Sequence, residues 1–191
     1  MRRHVPARRW GRISPSGLYM VSALLCLASV LTATGCSPAS AGPGGSAAPA
    51  VQKVIVTARS YSAEDLRAAG FKLSREYDVS GLPGATAAVY GFLDKKAYEA
   101  RFYPSHSDAV AMGSGPAAEV TGPAAVLSSF ATSWKEGVRD RMVRSGNQGT
   151  AMVAKYGDYV VVGNMVLLCE GMDAGLALAM CHGLISKLPA P

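Results

Sequence analysis

An α+β domain built on an antiparallel sheet is the fold class that this sequence predicts. Two observations predict it: strand-like stretches occur in pairs with a short turn between them, and a helix-like stretch follows each pair. We therefore expect two hairpin-then-helix units, with the helices packed mainly on one face of the sheet. The two units share their order of elements but little sequence, so they indicate a similar local topology and not a duplication.

The N-terminal part of the domain is expected to form a strand and a short helix. Residues 52–57 predict the strand because β-branched residues dominate them. Ser62 and Asp65 have the spacing of a capping box at the start of the helix, and Gly70 ends it. Residues 74–84 are rich in turn formers and predict a loop.

The first hairpin is expected across the turn 94–96, between strands at 85–93 and 97–103. Side chains alternate along the second strand in two sets, Tyr98, Ala100 and Phe102 against Glu99, Arg101 and Tyr103. Such alternation is typical of a strand with one face in the core and the other in water. The set with Glu99 is expected to face solvent.

Two helical stretches are expected between the hairpins. Ser105 begins the first, which should break near residues 113–116 because of their glycines and proline. Pro123 suits the first turn of the second helix. Its apolar residues at spacings of three and four are Leu127, Phe130, Trp134 and Val138.

A second hairpin and a last helix complete the domain. Residues 150–155 and 159–169 predict strands around a turn at 156–158, after a loop at 145–149. Residues 159–169 are apolar on both faces, which is typical of a central strand. Asp173 begins the last helix, whose apolar stripe contains Leu176, Ala177, Met180, Cys181, Leu184, Ile185 and Leu188.

Gly163 and Asn164 interrupt the apolar stretch 159–169. A glycine within a strand often marks a bulge or the close approach of another group. Asn164 is therefore a candidate ligand contact at the surface of the sheet. The alternative is a bulge in which the Asn164 side chain satisfies neighbouring backbone groups.

The net charge of +6 over 191 residues is concentrated at the N-terminus. Five arginines are the only charged residues among the first 35, so the remaining chain carries about +1. A nearly neutral domain lacks the basic surface that binding to nucleic acid requires. We expect no nucleic-acid partner.

The five arginines precede an uncharged stretch, residues 13–36, which is most apolar at 18–31. A charged segment followed by an apolar one is typical of a signal peptide. The apolar part is shorter than the about 20 residues of a free-standing transmembrane helix. Arg8 and Arg9 suggest a twin-arginine export signal, but Gly11 and Arg12 stand where that motif usually has apolar residues.

The stretch Ala33-Thr34-Gly35-Cys36 resembles the lipobox of bacterial lipoproteins, although that motif prefers leucine where Ala33 stands. The resemblance implies cleavage before Cys36 and a lipid on its sulfur, which anchors the chain to the cell membrane or outer membrane. The domain would then face the extracytoplasmic side. The alternative is an uncleaved anchor helix with an unmodified Cys36.

Three segments follow from this interpretation. Residues 1–35 are the signal peptide, and residues 36–50 are the lipidated cysteine with a tether of Gly, Pro, Ala and Ser. Such a composition cannot bury enough apolar surface to order itself. Residues 51–191 form a single globular domain, which is long enough for a hydrophobic core.

Cys169 and Cys181 remain in the domain once Cys26 has left with the leader and Cys36 is lipidated. One lies at the end of a strand and the other on the apolar stripe of the helix that folds back, so they can come within bonding distance. An exported location favours a disulfide. The alternative is two buried thiols that pack as small hydrophobic groups.

Candidate chemistry is sparse. His106 lies in the stretch Ser105-His106-Ser107-Asp108, which contains the groups of a hydrolase, but Ser105 and Asp108 also have the spacing of a helix cap. The histidines and cysteines lack metal-ligand spacing, and phosphate-binding and cofactor motifs are missing. We expect no metal and no cofactor.

The stretch 134–144 has the highest density of charge in the domain. Trp134, Arg139 and Arg141 are candidate binding residues, because arginine forks hold carboxylates, other anions and phospholipid headgroups. The alternative is a solvent-exposed helix face supported by the pairs Glu136–Arg139 and Asp140–Arg144.

The stretches 101–106, 134–137 and 155–159 are similar to parts of uncharacterised bacterial lipoproteins, a resemblance that implies no activity. We expect a lipid-anchored, extracytoplasmic binding or interaction module of the bacterial cell envelope. An envelope protein or a small anionic molecule would be its partner. The alternatives are a small envelope hydrolase that uses His106 and a structural envelope lipoprotein.

Overall fold

A six-stranded sheet lies at the centre of the domain in a computed structural model, which describes residues 52–144 and 151–189. Its strand order is β1-β7-β8-β4-β3-β2, and every neighbouring pair is antiparallel except β1 with β7. β5 and β6 form a separate two-stranded ribbon. The strands are β1 Val54–Ile55, β2 Lys72–Glu76, β3 Ala87–Leu93, β4 Lys96–Phe102, β5 Met142–Arg144, β6 Met152–Ala154, β7 Tyr156–Val162 and β8 Met165–Glu170.

Helices are few, so the fold is a mixed α+β domain with a mostly antiparallel sheet, as the sequence predicts. The α-helices are α1 Ala63–Ala68, α2 His106–Asp108, α3 Ser114–Ala118 and α4 Ala174–Ile185. A π turn, Ala109–Gly113, joins α2 to α3, and a 3-10 turn, Val138–Arg141, precedes β5. None of the described helices has the length and hydropathy needed to cross a membrane.

The helix starts follow the predicted caps. Ser62 and Asp65 form the expected capping box of α1. The Ser105 hydroxyl accepts a hydrogen bond from the backbone N–H of Asp108, and the Asp173 side chain accepts one from Leu176. These side chains satisfy N–H groups that the first turn of a helix leaves without partners.

The first hairpin is confirmed, since β3 and β4 pair antiparallel across a tight turn. Asp94 and Lys95 have φ values of 50° and 65° in that turn. Positive φ at both central residues is the geometry of a tight hairpin turn, whose twist matches that of the strands.

The expected turn at 156–158 is wrong. β6 pairs with β5, while β7 begins at Tyr156 and pairs with β8 across a turn at Gly163 and Asn164. Gly163 has a φ of 51°, and a side chain there would collide with the carbonyl oxygen of Arg59. The apolar stretch 159–169 is therefore two neighbouring strands and not one.

The expected helix after Pro123 is also wrong. No helix occurs between Ala118 and Val138 among the described residues, and Phe130 is 96% exposed while Trp134 is buried. Side chains on one apolar helix face would share one environment, and these two do not. The segment ends at Gly137, whose φ of 69° lies in the left-handed region that glycine adopts readily.

Two hydrophobic cores lie on opposite faces of the sheet. The first core packs α1 and α4 against the sheet through Leu66, Ala177, Cys181 and Leu184. The second core packs the segment after β4 against the other face, through Ala109, Ala117, Val120 and Trp134. Short helical segments thus cover the second face, and the expectation that helices pack mainly on one face is not confirmed.

The prediction that one face of β4 is exposed to solvent is also wrong, because the second face of the sheet is covered. Glu99 and Arg101 are fully buried and Tyr103 nearly so, because the segment after β4 returns over that face. The alternation of charged and apolar residues along β4 did not indicate that a later segment covers this face. A charged pair therefore lies inside the second core.

Cys169 in β8 and Cys181 in α4 form the predicted disulfide, with Cα atoms 5.6 Å apart. It joins the longest of the described helices to one of the two central strands of the sheet within the first core. The predictions for the leader, Cys36 and the tether concern residues 1–51, and the predicted loop at 145–149 lies within the gap at 145–150. All of them lie outside the described residues.

Candidate functional site

A buried ion cluster lies on the second face of β4. The carboxylate of Glu99 accepts a hydrogen bond of 2.7 Å from Nε of Arg101, two residues along the same strand. It also accepts bonds from Arg141 in the 3-10 turn, 2.7 Å from Nε and 3.1 Å from Nη2. One carboxylate therefore pairs with two guanidinium groups, both no more than 1% exposed.

Trp134 packs against both arginines of the cluster. The carbon centres of the guanidinium groups lie 4.3 Å (Arg141) and 5.0 Å (Arg101) from its ring centre. Its indole N–H donates to the carbonyl oxygen of Asp78, and its own carbonyl oxygen accepts from Nη1 of Arg141. Such stacking is favourable for cations that have left water.

The two arginines govern the ionisation of Glu99. Burial alone would raise the pKa of its carboxyl group, but the charges of Arg101 and Arg141 outweigh burial and hold the pKa below its ordinary value. Glu99 is therefore ionised in the folded domain at neutral pH. The cluster carries one negative and two positive charges.

Next to this cluster the surface carries a shallow, open recess with a volume of about 510 Å³, which we call the basic recess. Its cations are Arg75, Lys135 and Arg139, and its acid is Asp140. The remaining lining residues are Leu127, Ser128, Ser129, Phe130, Gly137, Val138 and Met142. The recess thus combines an excess of positive charge with exposed apolar surface.

Asp140 neutralises only part of that charge. Its carboxylate accepts a hydrogen bond of 2.7 Å from the Tyr77 hydroxyl and lies 3.3 Å from a terminal nitrogen of Arg75. Burial, together with this bond to Asp140, raises the pKa of Tyr77, which keeps the hydroxyl protonated. Within the described part of the chain, Lys135 and Arg139 have no carboxylate partner.

The cluster and the recess share the 3-10 turn. Arg139 extends from the turn into the recess, and Arg141 extends from it into the core. The bonds of Arg141 to Glu99 therefore fix the wall of the recess to the sheet. Arg139 is accessible to a ligand at the surface, whereas Arg141 and Trp134 are buried beneath it.

The other predicted site residues lie elsewhere. Asn164 is buried in the β7–β8 turn, where its side-chain oxygen accepts from the N–H of Tyr61 and its amide donates to the carbonyl oxygens of Tyr61 and Tyr103. Nδ1 of His106 lies 2.8 Å from the carbonyl oxygen of Gly163. Both residues serve the same backbone turn and are not part of the recess.

The hydroxyl of Ser105 is engaged with its own helix start. It lies 2.6 Å from the carboxylate of Asp108 and 2.8 Å from the Ser107 hydroxyl. A nucleophile must contact a base, and the described contacts of Ser105 do not include His106. In the described ranges, His, Cys, Asp and Glu form no group that could hold a metal ion.

Sequence reasoning missed Glu99, Arg75, Lys135 and Asp140 as parts of the site. Glu99 and Arg101 alternate with apolar residues, which is also the pattern of an exposed face. Arg75 and Asp140 are 65 positions apart and meet only through the fold. The sequence did contain a signal that Glu99 is buried, since Ala97 and Tyr103, which lie on the same face, are mainly apolar.

Fold and site together define a class: an α+β domain with an internal arginine–glutamate cluster beneath a basic surface recess. More particularly, the chain belongs to a family of unknown function, DUF6810, whose model matches residues 62–190. The match begins at the cap of α1 and covers both the cluster and the recess. No curated protein and no solved structure was found to match the chain.

Proposed function

We propose that this protein is a lipid-anchored binding module of the bacterial cell envelope, and that its basic recess binds a small anionic ligand with an apolar part. The domain would face the extracytoplasmic side, in the cell membrane or the outer membrane. Two hairpin-then-helix units, β3–β4 with α2 and β7–β8 with α4, would be its architectural basis. The observation that carries the binding proposal is that Lys135 and Arg139, which have no carboxylate partner among the described residues, line the recess beside exposed Phe130.

The anchoring part of the proposal rests on the sequence. The arginine-rich start, the apolar stretch and the lipobox-like residues before Cys36 favour export and lipidation. Two or more acyl chains would anchor the chain durably, since each buried CH₂ contributes about 0.8 kcal/mol. The disulfide between Cys169 and Cys181 agrees with an oxidising compartment.

The binding part rests on charge and exposure. Three cations and one carboxylate line the recess, and Asp140 already contacts Arg75. An anionic group between Lys135 and Arg139 would gain charge-assisted hydrogen bonds. Phe130 is 96% exposed, so an apolar part of the ligand could cover a side chain that otherwise faces water.

The alternatives have less support. A hydrolase that uses His106 would need a nucleophile beside the imidazole, whereas the Ser105 hydroxyl bonds to Asp108 and caps its helix. A purely structural role would not need a recess with unneutralised cations. Neither the hydrolase nor the structural role is supported by an arrangement of side chains in the described residues.

Octyl phosphate is a suitable probe, because it joins an anionic head to an apolar chain. We would titrate it into the mature chain with Cys36→Ser, so that no lipid is attached, and follow binding by calorimetry. Trp134 is the only tryptophan after the leader, so its fluorescence gives a second signal close to the recess. Inorganic phosphate and octyl glucoside test the head and the chain separately.

Arg139→Gln and Lys135→Gln should each weaken octyl phosphate binding about five- to tenfold, since about 1.4 kcal/mol corresponds to a factor of ten. Lys72→Gln is the matched control, because Lys72 is an exposed cation in β2 outside the recess. Equal affinity in all three variants, or equal affinity for octyl glucoside, would contradict the proposal.

A further inference from the structure

The guanidinium group of Arg101 is incompletely paired although it is fully buried. Its Nε donates to Glu99, but Nη1 and Nη2 have no hydrogen-bond partner among the described residues. These two nitrogens carry four N–H groups. Burying a charged donor without a partner is costly, so native structures normally provide one.

The excess positive charge of the cluster lies on the guanidinium group of Arg101. All three nitrogens of Arg141 are used, two by Glu99 and one by the carbonyl oxygen of Trp134. Glu99 supplies a single negative charge for two arginines. Asp140 directly precedes Arg141 in the sequence, but its carboxylate accepts from the Tyr77 hydroxyl and pairs with Arg75.

The surroundings of Arg101 offer more donors. Tyr103 lies one residue beyond the end of β4, on the same side as Arg101, and its buried hydroxyl also has no partner among the described residues. The hydroxyl of Tyr156 in the same core is likewise buried and without a described partner. The residues paired with Arg101 on the adjacent strands are the small Ala88 and Val166.

We propose that the second core holds a small monovalent anion of the size of chloride, bound by Nη1 and Nη2 of Arg101. The anion would balance the excess charge of the cluster and accept the hydrogen bonds that the protein leaves open. Water is a poorer occupant, because it carries no charge to balance the cluster and its own hydrogens could find acceptors only on hydroxyl or backbone oxygens, since a guanidinium group has none. The site is separate from the basic recess, and its occupancy does not depend on the proposed function.

Bromide identifies such a site directly, because its anomalous scattering distinguishes it from water. Crystals of the mature chain with Cys36→Ser, grown or soaked in sodium bromide, should show an anomalous peak within hydrogen-bond distance of both Nη atoms of Arg101. A water molecule at that position would overturn the proposal. So would bromide at surface positions alone, which would mean an adventitious ion only.

Thermal unfolding gives an independent test in solution. Chloride or bromide should raise the Tm by about 5 °C as the site fills, because a ligand that binds only the folded state stabilises it. Gluconate at the same ionic strength is too large to enter and should not. A rise of equal size in both salts would contradict specific binding.

Arg101→Met is the decisive variant, because it leaves a neutral Glu99–Arg141 pair and removes the proposed anion contacts. We expect it to lose the difference between chloride and gluconate. Arg75→Met, which removes an exposed arginine of the recess, should keep that difference. If Arg101→Met retains the difference, the anion is not held by Arg101; if that variant does not fold, the bromide crystal decides alone.

Discussion

Glu99 accepts hydrogen bonds through both of its carboxylate oxygens from Arg141, a residue 42 positions further along the chain. The bonds connect the middle of the sheet to a 3-10 turn at the end of a long irregular segment. The segment contacts the sheet through the N–H of Gly122, which donates to the carbonyl oxygen of Tyr156, and through the ion pair and Trp134 at its end. The basic recess depends on this attachment, because Arg139 belongs to the same turn.

Glu99→Gln should be the most damaging single change in the cluster. It removes the carboxylate that pairs with both buried guanidinium groups, and breaking a buried pair typically costs about 3–5 kcal/mol. Arg141→Met should cost less, since Glu99 and Arg101 remain as a neutral pair. Urea denaturation measures both free energies of unfolding.

The matched control for Glu99→Gln is Glu64→Gln, in which an exposed glutamate of α1 is replaced. Its effect should stay within about 0.5 kcal/mol of wild type, as for most surface substitutions. A Glu99→Gln variant that is no less stable than this control would contradict the stabilising role of the buried ion pair.

Acid should weaken the domain through Glu99. Its folded-state pKa lies below the ordinary value of 4.5, because Arg101 and Arg141 together outweigh the effect of burial. The stabilisation is therefore complete above pH 4.5 and is lost as the pH falls through the folded-state pKa. The difference in unfolding free energy between wild type and Glu99→Gln should shrink from pH 7 to about pH 3.

Asp65 and Asp78 also have lowered pKa values. Burial would raise the pKa of Asp65, but Arg59 and Ser62 together lower it, and hydrogen bonds from Ser80 lower the pKa of Asp78. Both residues are present in wild type and in Glu99→Gln, so their contributions largely cancel in the comparison. A difference that stays constant down to about pH 3 would show that Glu99 is not the acid-sensitive group.

The disulfide should stabilise the domain by about 3 kcal/mol, the value that the chain-entropy model assigns to a short loop. Cys169→Ala with Cys181→Ala should lower the free energy of unfolding by that amount, measured in urea. A reducing agent should lower the stability of the wild-type domain and leave the double variant unchanged. Equal sensitivity of the two proteins to reduction would contradict the bond.

The sequence predicted those parts of the fold that local signals determine. The caps at Ser62, Ser105 and Asp173 involve contacts within three residues, so a short stretch of sequence contains the whole interaction. The β3–β4 hairpin was likewise predicted from two alternating strands and a short turn. The disulfide followed from the placement of two cysteines on elements that fold against each other.

The parts that could not be predicted depend on contacts between distant residues. The same charged alternation in β4 fits an exposed face or a covered one, and the difference is made by the segment from Ala109 to Arg141, which returns over that face. The recess could not be predicted for the same reason. Arg75 comes from β2, while Lys135 and Arg139 come from the far end of that segment. Of the predicted binding residues, only Arg139 lines it.

Asn164→Ala should destabilise the β7–β8 turn. The change removes three hydrogen bonds and leaves the buried N–H of Tyr61 and the carbonyl oxygens of Tyr61 and Tyr103 without this partner. Unsatisfied buried groups cost about 1–3 kcal/mol each, and partial access to water should limit the total to roughly that range. Thermal unfolding, with the exposed Gln52→Ala as control, measures the loss; equal melting temperatures would refute it.

Lipidation at Cys36 is the prediction on which the proposed location depends. The full chain, produced in a bacterial host fed an alkyne-tagged fatty acid, should carry the tag and partition with membranes. Cys36→Ser should lose the tag, because serine has no thiol to form the thioether. Cys26→Ser is the matched control, since Cys26 lies within the apolar stretch that cleavage would remove, and it should label like wild type. A tag that persists in Cys36→Ser would exclude lipid attachment at this cysteine. An untagged wild-type chain that still stays with membranes would instead indicate an uncleaved anchor helix.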